Sequence, residues 1–202
     1  MLIADNGHGM NQKELQEAMQ LGAIGPSTHR DKSDLGRLGM GLKTASFSQC
    51  KKLNVFSRTR VDEPWLGMGW DLEIVEKENA WLAQVFTAQE SENQLNMLSF
   101  PFDKGTAVVW DCFDKIIDMT ATHAEKNYER AISKLKEHLS LIFHRFLLGE
   151  NTPRKVTLKI NNKAIKAKDP FALHPPLGSS GSILLTNEVI RLGCHNIVVK
   201  AY

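Results

Sequence analysis

Two glycine-rich turns lie within the first 41 residues and restrict the possible folds of this chain more than any other feature of its sequence. The first is DNGHGM at Asp5–Met10, directly after the apolar residues 2–4, which predict the end of a buried strand. The second is LGRLGMG at Leu35–Gly41, followed by Lys43–Ser48, which contains no helix breaker. Closely spaced glycines permit positive φ, so both segments are predicted to be tight turns.

Asp5 is the candidate residue for recognising a base. A carboxylate can only accept hydrogen bonds, whereas the 6-amino group of adenine donates them and guanine places an acceptor at that position. One buried aspartate can therefore select adenine, and Gly7 and Gly9 would let the backbone approach the base closely. Taken alone, a DxGxG pattern is also explained by a tight turn without a ligand, and this alternative stays open.

The second turn is a candidate phosphate site. Gly36, Gly39 and Gly41 precede a helix predicted to start near Leu42, and backbone N–H groups at a helix start bind phosphate oxygens. Lys43 would add a positive charge one residue further on. The turn is not a Walker A loop, because GxxxxGK[ST] is absent, and it lacks the immediately preceding strand of a Rossmann fingerprint. A flexible loop followed by a packed helix remains the alternative.

Together the turns resemble motifs of the GHKL superfamily, which includes gyrase B subunits, the ninety-kilodalton heat-shock chaperones, histidine kinases and MutL. Asp5–Met10 matches its DxGxG motif, and the segment GRLGMGLKTAS at residues 36–46 looks like its second glycine motif. Lys104-Gly105-Thr106 looks like the third motif, whose threonine supports the adenine-binding aspartate. The resemblance implies that the ligand is ATP and that residues 25–38, here called the lid segment, form a lid.

The nucleotide-binding residues that the resemblance implies fall into a base group and a phosphate group. The base group is Asp5, Gly7, Gly9, Met10 and Thr106, and the phosphate group is Gly36, Gly39, Met40, Gly41, Leu42 and Lys43. The implied fold is α/β, a Bergerat two-layer sandwich with a mixed β-sheet and helices on one face. No catalytic residue and no metal ligand is assigned.

The superfamily carries an N-box helix before the DxGxG strand, with a glutamate that activates water and an asparagine that holds Mg²⁺. Only four residues precede Asp5, so we expect that helix to be absent and the chain to be a fragment of a longer ATPase. Mg²⁺ is accordingly expected in the full-length protein, and hydrolysis by this chain is left open. In the full-length protein, nucleotide is expected to close the lid and drive homodimerisation.

The region after the third motif gives the domain prediction. A long helix is predicted over about 122–148, ended by Gly149, and then a hairpin around Asn161-Asn162. With the GMGLKTAS segment, this order is most similar to MORC-like and chaperone-like prokaryotic ATPases. It predicts an ATP-binding domain over 1–176 and the beginning of a transducer-like (ribosomal-S5-like) domain over 177–202. A histidine-kinase-like catalytic domain and a non-catalytic interaction module remain as alternatives.

Composition adds limits on partners and location. The net charge of +2 is too small to indicate nucleic acid, and the basic run over 154–168 is better explained as a solvated strand face, with a nucleic-acid surface as the alternative. No apolar run approaches the roughly 20 residues that span a bilayer. No signal-peptide pattern begins the chain, and the three cysteines form no CxxC, so a cytoplasmic location is expected.

Overall fold

The chain forms two units in the computed structural model, Met1–Ala121 and Thr122–Tyr202. The structure describes residues 1–21, 40–114, 124–150, 155–170, 186–192 and 195–201. The predicted domain boundary at 176–177 falls outside these residues, so the division into 1–176 and 177–202 stays a prediction. The two units are described separately below.

A five-stranded antiparallel sheet organises the first unit. In chain order its elements are β1 (Leu2–Asp5), α1 (Gln12–Met19), α2 (Gly41–Phe47), β2 (Cys50–Arg58), β3 (Leu66–Asp71), α3 (Leu72–Glu78), β4 (Gln84–Phe86), α4 (Ala88–Met97) and β5 (Gly105–Phe113). The strands lie in the order β1-β5-β2-β3-β4, and each neighbouring pair is antiparallel. The predicted α/β class, with helices packed on a sheet, is confirmed.

The two faces of this sheet bury different clusters because side chains alternate along each strand. On one face the buried cluster is Leu15, Met19, Leu53, Val55 and Trp70. On the other face it is Phe56, Trp65, Leu95, Ala107 and Val109. Helices α1, α2 and α3 contribute to the first cluster, as the prediction of helices on one face requires. Helix α4 is an addition to that arrangement, since its Leu95 packs on the second face.

Helix α1 begins at the capping box that the sequence indicates. The Asn11 side chain accepts a hydrogen bond from the Glu14 N–H at 3.0 Å, and the Glu14 carboxylate accepts one from the Asn11 N–H at 2.8 Å. Leu15 and Met19 then face the core at helical spacing. The helix therefore starts directly after the first glycine turn and ties that turn to the buried face of the sheet.

The weak apolar pattern over 76–96 predicts a strand around 81–86 followed by a loop, and the second half of this prediction is wrong. The strand is limited to β4, and helix α4 follows it. Thr87 and Glu90 form a second capping box, which satisfies the first N–H groups of α4. The preceding helix, α3, is capped by Asp71, whose carboxylate accepts the Glu73 N–H at 3.0 Å. Local capping outweighed a weak hydrophobic pattern here.

The second unit begins with helices and ends with two hairpins. Its elements are α5 (Ala124–Ile142), α6 (His144–Leu148), β6 (Lys159–Ile160), β7 (Lys163–Ala164), β8 (Thr186–Leu192) and β9 (His195–Ala201). The predicted long helix is thus divided at Phe143, and it ends at Gly149 as expected. Asn161 and Asn162 adopt φ of 47° and 63°, so the predicted Asn-Asn hairpin turn is confirmed.

Candidate functional site

Asp5 lies at the carboxyl end of β1, where the strand meets the first glycine turn. Its Oδ1 accepts a hydrogen bond from the Gly7 N–H at 2.8 Å, so the aspartate side chain closes the turn that follows it. No other hydrogen bond to the carboxylate is found among the described residues, and Asp5 is exposed, so the expectation of a buried aspartate is wrong for this side chain. The second oxygen is accessible and can accept a further hydrogen bond.

Two glycines allow the backbone around Asp5 to pack against its neighbours. Gly9 has φ +74°, and a Cβ built there would run into the Arg58 carbonyl oxygen at the end of β2. Gly105 has φ +122°, and a Cβ there would run into the Asp5 carbonyl oxygen. The DxGxG motif predicts that Gly9 permits close approach of a base. The structure gives a reason that needs no ligand, because the backbone of the neighbouring strand occupies that space.

A row of polar side chains crosses the sheet beside this turn. Asp5 on β1 pairs with Thr106 on β5, and Thr106 pairs in turn with Ser57 on β2. Directly paired residues of antiparallel strands project from the same face. These three residues, here called the polar rung, thus lie side by side on the face that α1 covers. The tertiary structure brings two predicted base-group residues, Asp5 and Thr106, into one row.

Ser57 is the member of the polar rung that sequence reasoning missed. Its Oγ accepts a hydrogen bond from the Met10 N–H at 2.8 Å and donates one to the Gly105 carbonyl at 3.0 Å. It also lies 3.1 Å from the Thr106 hydroxyl and is 0% exposed. Ser57 therefore joins the first glycine turn to the third motif. A signal for it was its spacing, since Ser57 continues the alternating positions of Leu53 and Val55 on the buried face of β2.

The second turn is described from Met40 onward, because Gly36 and Gly39 lie outside the described residues. Met40 is the N-cap of α2 and is 44% exposed, and the first helical bond joins the Thr44 N–H to the Met40 carbonyl at 2.9 Å. The amides of residues 41–43 therefore precede the helical bonding pattern and have no partner within α2. These are the donors that the predicted phosphate site requires.

Lys43 adopts a position that the sequence did not suggest. Its ammonium donates to the Ala18 and Gln20 carbonyls at 2.7 and 2.8 Å, at the end of α1, and the residue is 1% exposed. In this conformation the charge joins α2 to α1 instead of extending toward solvent. The predicted contact with phosphate would require the ammonium to exchange these carbonyls for phosphate oxygens. The phosphate role of Lys43 stays a prediction.

Burial of Lys43 predicts a pH dependence of stability. Desolvation lowers the pKa of its ammonium in the folded chain, while the unfolded chain keeps the ordinary value of about 10.4. Between these two values the unfolded state binds more protons, so the free energy of unfolding should rise with pH in that window. We expect the wild type to gain stability relative to Lys43→Met as pH rises from 7 toward 10, measured by urea unfolding.

A matched substitution separates this effect from loss of a lysine charge in general. Lys13 lies on α1 with an 85% exposed side chain, and Lys13→Met removes the same charge from the surface. The pH-dependent difference from wild type should be larger for Lys43→Met than for Lys13→Met. Equal differences in the two variants would mean that burial of the Lys43 ammonium has no energetic consequence.

The two turns share one side of the sheet. Met10, at the end of the first turn, and Leu42, in the first turn of α2, both pack against the cluster that contains Leu15 and Val55. Lys43 ties the end of α1 to α2. Described residues of the predicted base group and of the predicted phosphate group therefore pack against the same face of the sheet.

Other candidate features were less informative. Within the described residues, no group of three or more His, Cys, Asp and Glu side chains could hold a metal ion. No described helix is long and apolar enough to cross a membrane. In the second unit, the lysines over 155–168 are exposed, and Lys168 pairs with Glu137 at 2.8 Å. This exposure is expected for a solvated strand face and equally for a nucleic-acid surface, so both alternatives stay predictions.

Comparison with known proteins supports the same region of the chain. A family model described as "Histidine kinase-, DNA gyrase B-, and HSP90-like ATPase" matches residues 1–106, slightly more than half of the 202 residues. The match ends at Thr106 and so includes both glycine turns and the whole polar rung. No curated protein matches the chain.

Proposed function

The chain belongs to the family of histidine kinase-, DNA gyrase B- and HSP90-like ATPases, and from this premise we propose that it binds ATP between its two glycine turns. The observation that carries the proposal is the polar rung with Asp5 at its exposed end. Its exposed carboxylate supports the proposal because it supplies the kind of acceptor that the 6-amino group of adenine requires. The first unit supplies all the described residues involved.

Adenine would bind at the end of β1 through its 6-amino group. One oxygen of Asp5 is held by the Gly7 N–H, which orients the carboxylate and leaves the other oxygen for the ligand. A hydrogen bond to an ionised acceptor is stronger than one between neutral groups. Guanine would place its 6-keto oxygen against this carboxylate, and the two acceptors would repel each other. We therefore infer a preference for ATP over GTP.

The triphosphate would bind at the start of α2. The amides of residues 41–43 lack helical partners, and their dipoles favour an anion. Gly41 supports this placement because, among the described residues beyond its chain neighbours and its own helix backbone, no atom lies within 4 Å of where its Cβ would be. Lys43 would hold α2 against α1, and in that way it would position these amides even while its ammonium stays on the carbonyls of α1.

Family membership also implies that Mg²⁺ accompanies the phosphates. The metal would neutralise phosphate charge when bound. No group of three or more His, Cys, Asp and Glu side chains in the described residues could hold a metal ion, so the proposal assigns no protein ligand to Mg²⁺.

We also propose the finer assignments that the resemblance implies. They are closure of the lid segment over ATP, dimerisation of the full-length protein, and a place among MORC-like and chaperone-like ATPases. The GMGLKTAS segment, together with the helices and Asn-Asn hairpin after β5, supports the last of these. The lid segment itself lies outside the described residues, so an experiment must examine it directly.

Hydrogen exchange with a non-hydrolysable ATP analogue tests binding and lid closure together. We expect slower exchange at three places, residues 6–9, residues 41–43 and the lid segment, because ligand contact and closure reduce access of water to the amides. The matched control is the guanine analogue with the same triphosphate. It should protect all three segments less at equal concentration.

Each outcome has a separate meaning. Unchanged exchange over 6–9 and 41–43 would contradict ATP binding at this site. Protection of these two segments with unchanged exchange over 25–38 would leave binding intact and contradict the lid. Equal protection by both analogues would mean that the phosphates bind but Asp5 does not select the base.

A further inference from the structure

The hydrogen-bonding capacity of Ser57 is completely used in the interior of the first unit. A hydroxyl has one proton to donate and two lone pairs with which to accept. The Gly105 carbonyl has no proton, so the Ser57 proton must be donated to it across 3.0 Å. The Met10 N–H is a donor only, so it occupies one Ser57 lone pair at 2.8 Å. The second Ser57 lone pair then remains for its third contact, the Thr106 hydroxyl.

That remaining lone pair determines the direction of the contact between the two hydroxyls. Ser57 Oγ and Thr106 Oγ1 lie 3.1 Å apart, and geometry alone allows either to donate. Because the Ser57 proton is already committed to Gly105, Thr106 must be the donor. The single Thr106 proton therefore points into the protein. The oxygen of this partly buried threonine can then only accept from a ligand.

The polar rung consequently presents acceptors alone to a base. Asp5 is an acceptor as a carboxylate, and Thr106 is an acceptor because its proton is consumed. A water molecule bridging the two would donate both its protons to them, and it too would face the base as an acceptor. Such a surface suits the two donors of a 6-amino group and is unfavourable to a 6-keto oxygen.

We propose that Ser57 is a specificity-determining positioning residue, which selects 6-aminopurines over 6-ketopurines by consuming the proton of Thr106. Ser57 is fully buried and acts through its neighbour, without touching the ligand. The proposal rests on the proposed ATP site and extends it. Without Ser57, the Thr106 hydroxyl could turn outward and donate to a keto oxygen.

The ratio of dissociation constants for ITP and ATP tests this inference. Inosine carries a 6-keto oxygen and lacks the 2-amino group of guanine, so ITP and ATP differ at the 6 position and at the adjacent N1, which is protonated in inosine. We expect Ser57→Ala to lower the ITP:ATP ratio by about three- to tenfold, as expected for one neutral hydrogen bond, measured by titration calorimetry on the whole chain. If Ser57 had a purely structural role, Ser57→Ala would weaken the binding of ATP and of ITP equally and leave the ratio unchanged.

Thr106→Val supplies a second, nearly isosteric test that is independent of how well Ser57→Ala folds. It removes the acceptor, so ATP should bind about three- to tenfold more weakly while ITP is not weakened. In the Ser57→Ala/Thr106→Val double variant, the serine change should no longer alter the ratio, because its effect passes through the threonine.

Three results would each contradict a different claim: the role of Ser57, the role of Thr106, or ATP binding itself. An unchanged ratio in Ser57→Ala, with ATP still preferred by the wild type, would overturn the role of Ser57 alone. Equal weakening of both ligands by Thr106→Val would overturn the acceptor role of the threonine. No binding of either ligand by the folded wild type would contradict the proposed function itself.

Discussion

We expect Gly9→Ala to destabilise the first unit by about 3 kcal/mol or more, because two separate penalties act at this position. The residue has φ +74°, which L-amino acids with a side chain rarely adopt. In addition, the new Cβ would overlap the Arg58 carbonyl oxygen, which belongs to the backbone of β2 and cannot rotate away. Since domains are commonly stable by only about 5–15 kcal/mol, this is a large fraction of the total.

The measurement is guanidinium unfolding followed by circular dichroism, with Gly41→Ala as the matched control. Within the described part of the chain, a Cβ at Gly41 would meet no atom within 4 Å beyond its chain neighbours and its own helix backbone, and the residue begins helix α2. Alanine there should leave the stability unchanged or raise it by up to about 1 kcal/mol. Equal unfolding midpoints for wild type and Gly9→Ala would show that the first turn does not pack against β2 as the structure describes.

The second large effect is expected for ATP binding by Asp5→Asn, which should weaken by about 10- to 100-fold. The bond from the Gly7 N–H makes this substitution informative. An asparagine would give its carbonyl oxygen to that N–H and keep the turn closed. Its amide NH₂ would then replace the free carboxylate oxygen and place a donor against the donor of adenine. The loss corresponds to about 1.5–3 kcal/mol for a hydrogen bond to a charged group.

Titration calorimetry with ATP measures this effect, and Asp62→Asn is the matched control. Asp62 is an exposed aspartate that pairs with Arg60 on the surface at 2.7 Å, so the same chemical change there should leave ATP binding intact. Both variants should retain the unfolding midpoint of the wild type within small error. An Asp5→Asn chain that binds ATP as tightly as the wild type would show that Asp5 does not contact the base.

Elements with strong local signals were predictable from the sequence. Helix α1 begins at the Asn11–Glu14 capping box, α6 ends at Gly149, and the Asn161-Asn162 turn forms its hairpin, each at the expected place. In these cases the determining interactions involve residues within a few positions of one another. Helix α4 also has such a signal in Thr87 and Glu90, although the weak apolar pattern of its segment predicts a loop.

The candidate site was predictable only in part, because a sequence pattern indicates contacts between residues close together along the chain and not contacts between distant ones. Asp5 and the glycines of the first turn act within a short stretch of chain, and the motif revealed them. The burial of Lys43 depends on carbonyls at Ala18 and Gln20, more than twenty residues away, so a charge expected beside phosphate lies instead against α1. No periodicity or spacing in the sequence indicates such a contact.

The sequence by itself determined the family and the first glycine turn, because short motifs and local backbone chemistry specify these features, and it predicts the second turn and the carboxylate that would recognise a base. Only the tertiary structure decided which groups stand beside that carboxylate. Ser57 and Thr106 are 49 residues apart, and the pairing of β2 with β5 alone brings them together. Hydrogen-bond direction within the polar rung follows from that pairing, since each hydroxyl has one proton and its direction depends on its neighbours in space.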